Sequence, residues 1–104
     1  MAKKIIWTPE AEKTYDAIID YLQEHWGEKE IVNFIKRTNS VVMHIKKHPM
    51  LYRSSGKEDV REALITKHNF LLYRVAGNII YLLLFWDTRK NPASKPDHYD
   101  LGLT

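Results

Sequence analysis

Cysteine is absent from the 104 residues, and glycine and proline occur only four times each. The absence of cysteine excludes a disulfide framework, a thiol nucleophile and a zinc site with cysteine ligands. The longest uninterrupted apolar run, Ile79 to Trp86, is far shorter than the roughly 20 residues of a membrane-spanning helix. No stretch rich in glycine or proline divides the chain, so we expect one domain.

The start of the chain lacks the pattern of a secretion signal. Lys3 and Lys4 provide positive charge, but the apolar run that follows is only Ile5 to Trp7. A signal sequence needs an apolar region of roughly 7–15 residues. We therefore expect a cytoplasmic protein without a membrane segment.

The two parts of the chain carry opposite net charge. Residues 1–35 contain four lysines and seven acidic residues, a net −3. Residues 36–104 contain twelve Lys or Arg and six acidic residues, a net +6, and the two parts sum to the +3 of the whole chain. This asymmetry permits an anionic partner for the second part, either nucleic acid or an acidic protein segment, and it does not choose between them.

The first third of the chain predicts a strand and then a helix. Lys3 to Trp7 is typical of a short strand. Thr8 is a suitable N-cap and Pro9 suits the first helical position. Apolar residues then recur at helical spacing to about Trp26, where Gly27 ends the helix.

A second helix is predicted by the clearest periodic pattern in the sequence. His48-Pro49 ends it, because the residue before a proline is disfavoured in helical conformation. Two helices separated by one glycine form an antiparallel hairpin. The apolar stripe of the second helix comprises Ile31, Phe34, Ile35, Thr38, Val41, Val42 and Ile45.

The remainder predicts a loop, Pro49 to Lys57, and then three strands, Glu58–Lys67, Phe70–Ala76 and Ile79–Trp86. Gly77-Asn78 is a two-residue hairpin turn between the last two. The predicted fold class is α+β with the order β-α-α-β-β-β. The helical hairpin packs on a small, mostly antiparallel four-stranded sheet.

Several short motifs, in order and spacing, resemble the RelE/ParE superfamily of toxins. The most diagnostic is the ending Leu84-Phe85-Trp86-Asp87-Thr88-Arg89-Lys90-Asn91-Pro92. The resemblance divides the chain into a toxin domain, 1–92, and a polar C-terminal tail, 93–104. The other motifs that carry it are Ile-Ile-Trp-Thr-Pro-Glu-Ala (5–11), Tyr21, Trp26-Gly27, Pro49-Met-Leu-Tyr52, Val60-Arg61 and Leu72-Tyr73-Arg74-Val75.

The resemblance implies the toxin of a type II toxin–antitoxin module, often described as a plasmid stabilisation protein. Its partner would be a small antitoxin whose tail wraps the toxin and neutralises it. RelE-like members cut messenger RNA on the ribosome, whereas ParE-like members poison DNA gyrase. The resemblance implies no cofactor, and it leaves the oligomeric state open.

Ribonuclease members place basic residues and a C-terminal tyrosine or histidine on the sheet surface. Here Arg61 and Arg89 resemble two of the basic positions, and Tyr99 is the candidate for the third group, with His98 beside it. Phe70 stands in the place of another arginine, and Lys95 or its neighbours stand where the tyrosine would be. These departures favour the ParE-like branch.

Five residues are predicted to contact the target or the antitoxin: Tyr52, Arg61, Arg74, Trp86 and Arg89. For Arg89 an alternative is that Asp87 pairs with it and holds the end of the last strand. For Trp86 the alternative is ordinary packing, because strand aromatics more often pack than bind.

We expect no metal site. His44 and His48 have the i, i+4 spacing of a ligand pair, but no acidic third ligand lies nearby in the sequence.

Three functions stay open from the sequence. The first is a ParE-like toxin that acts by protein contact on gyrase. The second is a ribosome-dependent endoribonuclease that uses Arg61, Arg89 and Tyr99. The third is a degenerate toxin that only binds its antitoxin. For the antitoxin itself we predict an amphipathic helix or strand that docks against the exposed sheet edge and the helical hairpin.

Overall fold

The computed structural model describes residues 3–56 and 59–89, and these form two helices and one five-stranded sheet. The predicted tail, 93–104, and with it Lys95, His98 and Tyr99, lies outside the described residues. The elements in chain order are β1 (Lys4–Trp7), α1 (Pro9–His25), α2 (Glu28–Lys47), β2 (Arg53–Ser54), β3 (Val60–Thr66), β4 (Asn69–Ala76) and β5 (Ile79–Asp87).

The sheet has the order β1-β5-β4-β3-β2. β1 pairs with β5 in parallel, and the other three pairings are antiparallel. The α+β class and the mostly antiparallel sheet are thus confirmed. The predicted count of four strands was wrong by one, because β2 lies inside the segment predicted to be a loop. β2 pairs through Arg53 with Glu62 and through Ser54 with Arg61, and two polar residues carry no alternation that a sequence pattern can detect.

The starts of both helices follow from their capping residues. Thr8 has extended backbone angles, and its Oγ1 accepts a hydrogen bond from the Ala11 amide at 3.1 Å, as predicted for an N-cap. The same hydroxyl donates to the Leu82 carbonyl at 2.7 Å, which ties the start of α1 to β5. Gly27 has φ +135°, and its amide donates to Leu22 O. A single glycine therefore ends α1 and begins α2.

Both helices lie on one face of the sheet, α1 mainly against β5 and α2 against β3. The predicted stripe of α2 is confirmed, since Phe34, Thr38 and Ile45 are buried and the four other members are partly buried. Between the helices and the sheet an aromatic cluster fills the core. Its four rings lie 5.2–6.2 Å apart, and they belong to Trp7, Tyr15, Phe34 and Phe85.

β5 is apolar throughout because both faces of the sheet carry apolar clusters. Ile80, Leu82 and Phe85 join the helix-side core, whereas Leu83 and Leu84 join a second cluster that contains no helix residue. A register shift opposite Leu72 and Tyr73 lets β5 place Leu83 and Leu84 together in this second cluster. We call the side opposite the helices the outer face. Its cluster comprises Val60, Phe70, Leu72, Leu83 and Leu84, with Tyr81 and Trp86 packed against it.

The predicted hairpin between the last two strands is confirmed. Ala76 pairs with Ile79, which leaves Gly77 and Asn78 as a two-residue turn. Gly77 has φ +61°, and Asn78 does not have a positive φ. A positive φ at the first central position alone is the signature of a type II′ turn, which favours glycine there.

Candidate functional site

Tyr52 and Arg61 meet at the C-terminal end of α2. The Arg61 Nη1 donates to the Tyr52 carbonyl at 2.6 Å, across the β2–β3 pairing. The Tyr52 hydroxyl lies 2.7 Å from His44 Nδ1 on α2. Beneath them the Tyr73 hydroxyl donates to the Pro49 carbonyl at 2.5 Å. Arg61 therefore has a structural task in fixing the loop before β2, and it stays only partly buried.

Burial sets the titration of the tyrosines in this cluster. The pKa of Tyr73 is raised well above its ordinary value of 10, first by burial; the neighbouring Arg61 charge opposes this shift and Tyr52 adds to it. Burial also raises the pKa of Tyr52. Both phenols are therefore neutral hydrogen-bonding groups near pH 7, and neither is prepared to act as a general base.

Arg89 follows β5 and is enclosed by three side chains. Its guanidinium lies 3.2 Å from Glu30 Oε2 at the start of α2 and 3.3 Å from Asp87 Oδ2. It also stacks over the Trp26 ring at 5.0 Å from the ring centre. Only 11% of the Arg89 side chain is exposed. Its charge is thus neutralised inside the protein and little is left for an outside phosphate.

Asp87 organises this end of the sheet. It accepts hydrogen bonds from the Arg89 amide at 2.7 Å and from Asn69 Nδ2 at 2.5 Å, and its side chain is fully buried. The Tyr21 hydroxyl on α1 donates to the Arg89 carbonyl at 3.2 Å. The sequence alternative in which Asp87 pairs with Arg89 is therefore what the structure contains. The network joins α1, α2, β4 and the end of β5.

Arg74 and Trp86 lie on the outer face, away from both groups. Arg74 on β4 places its guanidinium carbon 5.6 Å from the centre of the Tyr81 ring. Trp86 on β5 packs against the outer-face cluster. The Arg74 Nε and Trp86 Nε1 atoms are buried, and neither donates a hydrogen bond to a protein atom within residues 3–56 and 59–89.

The five predicted contact residues do not form one site. Tyr52 and Arg61 lie together, and Arg61 pairs with Tyr73 on β4. Arg89 lies two residues after Asp87, which pairs with Asn69 on the same strand. Asn69 and Tyr73 are four positions apart on β4, roughly 13 Å along a strand. Tyr99, the third residue of the ribonuclease hypothesis, lies outside the described residues.

Of the residues that depart from the ribonuclease pattern, Phe70 is described by the structure and Lys95 lies outside the described residues. Phe70, which stands where an arginine was expected, is a buried member of the outer-face cluster. An apolar ring there supports packing and supplies no charge for a phosphate.

The histidine pair on α2 lies side by side but without further ligands. The rings of His44 and His48 are 5.1 Å apart, and His44 is engaged by Tyr52. Within residues 3–56 and 59–89 there is no group of three or more His, Cys, Asp or Glu side chains that would hold a metal ion.

Trp26, Glu30 and Asn69 were missed by the sequence reasoning. Trp26 and Glu30 hold Arg89 from the helical hairpin, and Asn69 holds Asp87 from β4. Glu30 and Arg89 are 59 positions apart, so no spacing rule connects them. The one signal of this network in the sequence was the aspartate Asp87 two residues before Arg89.

Among the described helices, none is long and apolar enough to cross a membrane.

Comparison with known proteins gives the family. A model of the ParE toxin of type II toxin–antitoxin systems (parDE) matches residues 5–92. No curated protein sequence matches the chain.

Solved structures with the same fold include the chromosomal ParDE system from P. aeruginosa, at 20% identity and TM-score 0.72 over 83% of this chain and 96% of that one. The heterotetrameric YoeB–YefM toxin–antitoxin complex from Staphylococcus aureus matches at 18% identity and TM-score 0.56, over 83% and 97%. A mutant E. coli RelE toxin in the free state matches at 12% identity and TM-score 0.61, over 88% and 90%. At these identities the structures establish the fold, and the family match establishes membership. The chain belongs to the ParE toxin family of type II toxin–antitoxin systems.

Proposed function

We propose that this protein is the toxin of a type II toxin–antitoxin module and acts by protein contact on DNA gyrase. The observation that carries the proposal is the state of Arg89, which is bound by Glu30 and Asp87 and stacked on Trp26. Action on gyrase places the proposed activity in the cytoplasm.

The geometry weighs against cleavage of RNA by Arg61 and Arg89 together. Cleavage needs cations that meet the same phosphate as its charge develops. Arg61 pairs with Tyr73 in the middle of β4, whereas Arg89 lies beyond the start of that strand, and each is engaged within the protein. A protein target does not require that convergence, since contacts can be spread over a surface.

The proposed partner is a cognate antitoxin. Family membership supports it, as does the likeness in fold to a toxin solved in complex with its antitoxin. The net charge of +6 over residues 36–104 suits an acidic protein segment. The division into a toxin domain, 1–92, and a separate tail, 93–104, remains part of this proposal.

Cell-free translation of a pre-made messenger RNA separates gyrase poisoning from ribosome-dependent cleavage. The purified protein is added, and the ends of the RNA are mapped after translation. We expect full-length RNA and undiminished translation. Cuts that appear only in the presence of ribosomes would overturn the proposal and establish the ribonuclease. Wild-type protein is the right reagent, because alanine at Arg89 would also break a buried ion pair and lower stability.

A further inference from the structure

An open groove runs along the outer face where β3 meets the loop before β2. Its volume is about 550 Å³, within the range of roughly 300–1,000 Å³ that is typical of binding pockets. We call it the edge groove. Apolar side chains line it and basic side chains stand around it: Leu51, Leu64 and Phe70 in the first group, Arg53, Lys67 and His68 in the second.

The apolar lining of the edge groove is accessible to a partner. Leu51 is 70% exposed and Leu64 is 64% exposed, and both are among the few large apolar side chains that the described residues leave in solvent. Leu64 pairs across the strands with Phe70, a member of the outer-face cluster, and Leu51 lines the same groove. Exposed apolar side chains grouped in this way mark interaction sites.

The charges around the edge groove favour an anionic occupant. Glu62 is the one acidic side chain among its lining residues, and it forms an ion pair with Arg53 at 2.7 Å. Lys67 is exposed and forms no ion pair within the part of the chain that the structure describes. The uncompensated charge at the groove is therefore positive.

A polypeptide fits this surface better than a nucleic acid does. Bases are held by stacking on exposed aromatic rings. Phe70 is only 7% exposed, and Tyr52 is fixed edge-on to Tyr73 with its hydroxyl at His44. The accessible part of the lining is aliphatic, and leucine side chains bind other aliphatic side chains.

We infer that the edge groove binds a short acidic segment of a partner protein, with aliphatic side chains seated on Leu51 and Leu64 and a carboxylate beside Lys67. The inference rests on the proposed function only in supposing that the protein has a protein partner. It assigns to that partner a docking place on the outer face, next to β2.

Three synthetic peptides test the chemistry of the occupant. The first alternates leucine with glutamate, the second leucine with lysine, and the third serine with glutamate. Binding to the full-length protein is followed by changes in backbone amide chemical shifts. We expect the leucine–glutamate peptide to shift residues of the edge groove and the other two to bind at least about tenfold more weakly, because each lacks one of the two contributions.

Surface variants test the location. Leu64→Ser removes an apolar contact, and we expect it to weaken the leucine–glutamate peptide by on the order of tenfold. Met43→Ser, at an exposed methionine on α2, is the matched control and should leave binding unchanged. Lys67→Glu should weaken the same peptide, whereas Lys36→Glu, an equal charge change on α2, should not.

Equal binding of the acidic and basic leucine peptides would overturn the inference. So would equal effects of Leu64→Ser and Met43→Ser, or shifts confined to the helical hairpin. Single-stranded RNA that shifted the groove residues where the peptides did not would replace the polypeptide by a nucleic acid. None of these measurements involves gyrase or the ribosome, so failure of the groove and failure of the proposed target are separate results.

Discussion

Asp87 joins β4 to the end of β5 and, through Arg89, to α2. Its buried carboxylate accepts from Asn69 and from Arg89, and Arg89 in turn binds Glu30 on α2. We predict that Asp87→Asn lowers the free energy of unfolding by about 3 kcal/mol, because it removes one of the two carboxylates that pair with the nearly buried Arg89 charge. Urea denaturation at neutral pH measures the change.

Glu24→Gln is the matched control for that prediction. Glu24 pairs with His25 at 3.9 Å, and both side chains are mostly exposed. Removing a charge there should change the free energy of unfolding by less than about 0.5 kcal/mol. If Asp87→Asn were no more destabilising than this control, the network around Arg89 would not contribute to stability as described.

Tyr73 predicts how stability depends on alkaline pH. Its pKa is raised in the folded protein by burial, so above about pH 10 the unfolded chain has released a proton that the folded chain still holds. The stabilisation that comes from the protonated Tyr73 phenol is complete below the pKa of tyrosine in the unfolded chain. It is lost as the pH rises toward the pKa of Tyr73 in the folded protein. The free energy of unfolding therefore falls as the pH rises above about 10.

The variant Tyr73→Phe isolates this effect. It loses the hydrogen bond to Pro49 at every pH, about 1 kcal/mol. Its further loss of stability above about pH 10 should be smaller than in the wild type, although Tyr15 and Tyr52, whose pKa values are also raised, keep part of the slope. Urea denaturation at a series of alkaline pH values measures the free energy of unfolding of both proteins. An identical dependence on pH in the two would show that Tyr73 does not titrate as described.

At the scale of elements, the junction between α1 and β5 depends on one hydroxyl. Thr8 caps α1 through the Ala11 amide and also donates to Leu82 O. Thr8→Ala should cost about 1–2 kcal/mol of unfolding free energy, whereas Thr8→Ser, which keeps the hydroxyl, should cost clearly less. Thermal unfolding of the two variants compares them, and equal losses would contradict the capping role.

The helices were predictable from the sequence because their signals are local. The stripe of α2 from Ile31 to Ile45 and the cap at Thr8 both depend on residues within a few turns of each other. β2 was not predictable, because Arg53 and Ser54 become a strand only through pairing with β3. A two-residue strand has no period of its own.

Across the molecule as a whole, the sequence identified residues at the site but, apart from Asp87 for Arg89, not their partners. Arg61, Arg89 and Tyr52 were singled out as contact residues, and the structure shows that each is engaged within the protein. The ion pair between Glu30 and Arg89 spans 59 positions and requires α2 to be packed on the sheet. Long-range pairings of this kind are fixed by the fold, and a single sequence carries no local trace of them.

The arrangement of the molecule also separates the Tyr52–Arg61 cluster from the enclosed Arg89 network, and Tyr52 lines the edge groove as well. The separation is what disfavours a single catalytic centre and favours protein contact. The same arrangement predicts that Leu64→Ser, in the edge groove, affects partner binding without lowering stability by more than about 0.5 kcal/mol, because an exposed side chain contributes little to folding. Urea denaturation of this variant checks that its binding effect is not a folding effect.

The most direct test of the central claim is supercoiling of relaxed plasmid DNA by purified gyrase, with the purified protein added at increasing concentration. We predict loss of supercoiling that depends on the concentration of native protein and is absent with the heat-unfolded chain. Undiminished supercoiling at a large molar excess of the native protein would contradict the assignment of gyrase as the target.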